Sequence, residues 1–101
     1  AITMAEKATV LMKKLMERVN QYLTDLQNAK SRSDNVFGVW TQNKKDVEKD
    51  FIADLKGFTK VAVMLSNKEV LTMCQMQAKR AKESLVDDLD DILDTTIEDG
   101  D

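Results

Sequence analysis

Apolar residues recur at steps of three and four through most of the chain, and the phase of that recurrence divides it. Ala5, Ala8, Met12, Leu15, Val19, Tyr22, Leu26 and Ala29 form one stripe between about residues 2 and 29. That spacing lays them along one face of an α-helix. Leu11, Met16 and Leu23 flank the stripe, so it is wider than a two-stranded coiled coil needs and suits a helix touching two others. Lys13, Lys14, Glu17, Arg18, Gln21 and Asp25 take the remaining face.

Six polar residues, 30–35, then predict a turn. Ser33, Asp34 or Asn35 could cap a following helix, because each side chain accepts from orphan backbone N–H groups. The start of that second helix is open between 34 and 43. Its stripe is Trp40, Val47, Phe51, Leu55, Phe58, Ala62 and Leu65. Lys44 interrupts it, with a stem long enough to lie along apolar surface. All three Phe and the only Trp fall in this stretch, which makes it the source of the bulky core.

Ser66-Asn67-Lys68-Glu69 reads as a capping box, a hydroxyl followed three residues later by a carboxylate. The phase agrees. Extending the second stripe would bury Glu69 and Thr72, whereas a third restarts on Leu71, Cys74, Ala78, Ala81, Leu85, Leu89 and Ile92. The pattern predicts an all-α, antiparallel three-helix bundle with helices of roughly 30 residues, about 45 Å each. The first junction keeps its phase from Ser33 through Val36 to Trp40. A continuous rod over residues 2–65, or a long helical hairpin completed by a second chain, is therefore the alternative.

Composition supports helices. Proline is absent, glycine occurs three times and aromatics make up 5%, too little turn punctuation for a sheet protein. One cysteine, Cys74, permits no internal disulfide. That fits the cytoplasm, or export without disulfides. The longest apolar run, Val61 to Leu65, is far short of the roughly 20 residues that span a bilayer, and the start carries no signal-peptide pattern.

Charge changes the picture more. Residues 1–86 hold fifteen cations and ten carboxylates, while residues 87–101 hold eight carboxylates and no cation. The chain thus divides into a mildly basic helical core, 1–86, and an acidic amphipathic end of the third helix plus tail, 87–101. Asp87, Asp90, Asp91 and Asp94 share one helical face, with Leu89, Ile92, Leu93 and Ile97 on another. Carboxylates at a helix C-terminus oppose the macrodipole. Their favourable partners would be the chain's own cations, such as Lys79, Arg80 and Lys82, a basic partner, or water.

Histidine is absent, which removes the commonest general base and metal ligand. Gly38, Gly57 and Gly100 are isolated and form no phosphate-binding loop. The sequence therefore predicts no enzyme, no cofactor and no metal; a straight acidic helix cannot wrap the oxygens that Ca²⁺ needs. Its basic clusters carry no interleaved aromatics and its net charge is −3, which disfavours nucleic acid as a partner. The acidic end likewise disfavours a membrane surface. Cys74, on a stripe, reads as a small buried residue. Met12, Met16 and Met64 read as core filler, whereas Met73 and Met76 point away from the third stripe and read as an adaptable contact surface.

Length and helicity resemble the secreted helical hairpins whose turn carries Trp-x-Gly. Here the order is reversed, Gly38-Val39-Trp40, and their Tyr-x-x-x-Asp/Glu export signal is missing, so no residue is carried over. The sequence expectation is a helical protein–protein interaction module: adaptor, assembly subunit or chaperone. Its candidate contacts are Met73, Met76, Asp87, Asp90, Asp91, Leu93, Asp94 and Ile97. Its expected partner is a basic or helical segment, or a second copy. A self-assembling coiled-coil element and a small secreted hairpin effector are the alternatives.

Overall fold

Thr3 starts the first helix. Its Oγ1 accepts from the Glu6 N–H at 3.1 Å, and its carbonyl takes the first helical bond, from Lys7 N at 3.0 Å. With Glu6 three residues on, this is the N-cap of a T-x-x-E pattern. The computed structural model describes residues 3–32, 37–82 and 89–97. From Thr3 onward it shows α1 (Met4–Arg32), α2 (Phe37–Met64), α3 (Lys68–Lys82) and a one-turn α4 (Asp90–Leu93). Among the described residues there is no strand. The predicted caps at 33–35 and the core role of the Trp40 side chain lie outside the described residues.

α1 and α2 pack as an antiparallel hairpin, which rules out the continuous rod. Leu11 lies level with Val61, and Tyr22 stacks on Phe51 with ring centroids 4.0 Å apart and planes within 9°. Arg18 holds the register from the polar side: its Nε donates to Asp54 Oδ2, and its guanidinium lies 5.4 Å from the Phe51 ring centroid. Its Nη1 is buried without a hydrogen-bond partner; the ring's negative face offsets part of that loss. α3 packs antiparallel to α2, so it runs parallel to α1. The core they share includes Leu15, Phe51, Leu55, Val70, Cys74 and Ala78. Cys74 is fully buried, as expected; burial pushes its thiol pKa up, with Thr59 as a hydrogen-bonding neighbour.

The α2–α3 junction differs from the predicted capping box. Ser66 is not the cap. It has φ 50, the left-handed conformation that closes α2. Asn67 N–H donates to Ala62 O at 2.9 Å and Ser66 N–H to Val63 O at 3.0 Å, the two bonds of a Schellman ending. Asn67 then caps α3, its Oδ1 accepting from Val70 N–H at 2.9 Å.

The third helix does not run on as predicted to the acidic end. α3 is described to Lys82, and by Leu89 the chain has returned, so that Leu89 and Ile92 are buried beneath α2 and α3 from a separate element. The Gln75 amide fixes that return. Its Nε2 donates to Thr95 O at 2.9 Å, and more weakly to Ile92 O and Leu93 O at 3.3 and 3.4 Å. The Leu93 and Thr95 carbonyls stand at and beyond the end of α4, where the helix supplies no donor. The return also gives one of the acidic residues a cation: Asp91 sits 3.6 Å from Lys56 Nζ.

Three substitutions check these junctions. Ser66→Gly removes the Cβ strain of a left-handed serine and raises stability by roughly 0.5–1 kcal/mol, while Asn67→Ala removes the cap and lowers it by about 1 kcal/mol; urea unfolding that ranks them the other way would restore Ser66 as cap. Ile92→Ala costs about 2–5 kcal/mol, the range for a buried aliphatic side chain. A loss below about 0.5 kcal/mol, as for an exposed position, would mean that the acidic segment does not dock.

Candidate functional site

The residues that sequence pattern singled out do not form one site. Met76 is exposed on α3, as expected, but Met73 is half-buried against the core, with its sulfur 4.0 Å from Gln77 Nε2. Leu93 and Ile97 also pack against the core, so these apolar candidates contact the chain itself. Asp90, Asp91 and Asp94 are exposed; Asp87 lies outside the described residues. Among the methionines assigned to the core, Met12 packs there but Met16 and especially Met64, 78% exposed, do not.

A different feature stands out. Along the side of the α1–α2 hairpin away from α3 runs a trough of about 770 Å³, lined by Leu11, Lys14, Arg18, Gly57, Phe58 and Val61 among others. It continues past Leu11, Lys14 and Val61 into a second hollow of about 280 Å³ that adds Lys7, Val10 and Leu65. From Lys7 to Arg18 this spans eleven residue steps of α1, about 16 Å or three helical turns. Its floor is the flank of the core: Leu11 is buried, Phe58 and Leu65 are half-buried. Its lips are apolar and exposed, Val10 at 49% and Val61 at 38%. Midway, Gly57 has nothing within 4 Å of where a Cβ would stand.

The charges along this trough are uneven. Arg18 and Asp54 pair at one end, near Glu17. Lys7 and Lys14 have no carboxylate within ion-pair distance among the described residues. No described group of three or more His, Cys, Asp or Glu is placed to hold a metal ion, and no described helix is long and apolar enough to cross a membrane.

Beneath the hairpin lies a second polar feature that the pattern missed. Glu48 is fully buried, with Lys44 Nζ 3.9 Å from its carboxylate. The predicted interruption at Lys44 is thus a half-exposed cation beside a buried acid, one turn before a position that the stripe had left outside. Tyr22 registers the same environment. Its phenol pKa is pushed up to about 12, first by burial and then by the Glu48 charge, with Arg80 opposing. Burial of charge at 48 could be read in sequence only from its phase, four before Ile52 and seven before Leu55.

Comparison with the sequence models of protein families, with curated proteins and with solved structures finds no match to this chain.

The Tyr22 environment has a direct consequence. A phenol whose folded pKa exceeds its ordinary value of 10.0 favours the fold fully below pH 10, and that contribution is lost as pH rises toward 12. Tyr22 is the sole tyrosine, so ultraviolet titration of tyrosinate reads it alone. The folded chain should titrate near pH 12 and the urea-unfolded chain near 10; coincident midpoints would remove Tyr22 from this buried setting.

Proposed function

We propose that this chain is a non-enzymatic docking module, an adaptor, assembly subunit or chaperone, that takes a helical segment of another protein into the trough between α1 and α2. One observation carries the reading: core flank, exposed valines and an open glycine form a continuous apolar trough three helical turns long, with nothing of the described chain lying in it. Its shape supports a helix as occupant, because an amphipathic helix buries an apolar stripe of that length in a groove between two others. Gly57 supports it further. Glycine inside a helix destabilises by roughly 0.5–1 kcal/mol relative to alanine, and no neighbour within the fold calls for it. A packed helix does, since an absent Cβ lets backbones approach.

The acidic end enters this reading differently from the sequence expectation. Its apolar side chains are engaged by α2 and α3, so its role is to complete the fold while presenting Asp90, Asp91 and Asp94 to solvent.

The test uses Gly57→Trp, which sets an indole in the trough from a position where a Cβ has nothing within 4 Å. A display library of amphipathic helices, selected on the folded chain and counter-selected on this variant, should yield binders that need the open trough, while the variant melts at or above the wild-type temperature. A selection whose binders all tolerate Trp at 57 would remove the docking reading.

A further inference from the structure

Resting on the docking reading, we propose that the trough selects an acidic amphipathic helix, with two carboxylates one heptad apart that meet Lys7 and Lys14. The argument is charge complementarity along a fixed rail. Lys7 and Lys14 are both exposed, both line the apolar trough, and lie seven residues apart on α1. Seven residues are two helical turns, about 10.5 Å. A helix docked alongside repeats its own side chains at that interval, so carboxylates at i and i+7 face both cations while the apolar positions between them fill the trough over Leu11, Phe58 and Val61.

The other charges define the rest of the ligand. Arg18 is engaged by Asp54 and closes the far end of the trough without offering a free cation. Glu17, beside them, favours a cation on that end of the ligand and so sets its direction. Both lysines stay solvated at the lips, so they contribute orientation and encounter rate more than affinity. The apolar floor supplies the affinity, and the lysines choose among helices that fit it.

A second copy docked trough to trough fits this rail less well. The trough carries Lys7, Lys14 and Arg18 against Glu17 and the paired Asp54, with no acid pair at heptad spacing within it to meet the two lysines.

The experiment compares two synthetic helices of identical apolar face, one with Glu and one with Lys at i and i+7, titrated into the full chain and followed by fluorescence anisotropy. At low salt the acidic helix should bind about fivefold more tightly, the sum of two exposed ion pairs. That preference should fade at high salt and invert in the double variant Lys7→Glu/Lys14→Glu. Equal affinities that remain sensitive to Gly57→Trp would overturn the acidic preference and leave the docking reading standing. If neither helix binds, or if both bind the Gly57→Trp variant unchanged, both ideas fall. Sedimentation showing a dimer that the double variant dissociates would place a second copy in the trough and overturn the proposal.

Discussion

A hairpin covered on one flank governs this structure. α3 packs against one side of the α1–α2 pair, so the apolar surface it does not reach must be buried another way or left open. The chain does both. It returns after α3 and lays Leu89 and Ile92 beneath α2 and α3. It leaves the opposite flank of the hairpin, from Val10 and Val61 down to Phe58, as a trough. The resulting shape is long and thin, 54 × 27 × 14 Å with a Cα radius of gyration of 15.4 Å, against about 13 Å for a compact domain of this length. High surface for its volume means that few residues are remote from solvent, and the interior depends on a small set of large side chains.

Among these, the Tyr22–Phe51 stack with Arg18 across it does most to fix register. A helical hairpin with a uniform aliphatic seam can slide by a turn at little energetic expense, because Leu replaces Leu. An aromatic pair stacked face to face, with a guanidinium tied to Asp54 on the same ring, has no equivalent one turn away. The buried Glu48 acts in the same direction. Charge in a core lowers stability unless its surroundings are right, so a slipped register that changed what α1 packs around Glu48 would be penalised more than one that displaced a leucine. Polar groups here specify the arrangement; apolar groups hold it.

Much of the fold was legible in the sequence, because helical periodicity is local and the stripes are long. The hairpin core of Leu15, Val19, Tyr22, Phe51 and Leu55 lies on the predicted faces. What periodicity cannot do is say which helix a residue belongs to. Leu89 and Ile92 continue the phase of Leu71, Cys74 and Ala78 over a missing turn of chain direction, so a straight helix and a returned one give the same pattern. The signal against a straight continuation was electrostatic: Asp90 and Asp91 are badly placed at the end of a long helix. Caps were half legible. The Ser66–Glu69 box marked the right junction but the wrong residue, since Asn67 also caps and Ser66 was needed for the left-handed link. The site was least legible. Val10 and Val61 sit just off their stripes, and only the relative rotation of α1 and α2 brings them to the two lips of one trough.

Separation of the two surfaces follows from the same geometry. The acidic segment docks on the α3 side of α2, where Lys56 meets Asp91, and the lysines of the trough lie on α1 across the hairpin. Had the segment continued as a straight third helix, it would have run alongside the 29- and 28-residue helices of the hairpin to their far end. Folded back, it spends its apolar side chains on the core and keeps its charge on the opposite face from Lys7 and Lys14. At ordinary salt the Debye length is about 8 Å, so charges separated by the width of a helix layer scarcely interact through solvent. The carboxylates of the acidic segment therefore do little to neutralise the trough, where Lys7 and Lys14 line the lips and Glu17 and the Arg18–Asp54 pair lie at one end.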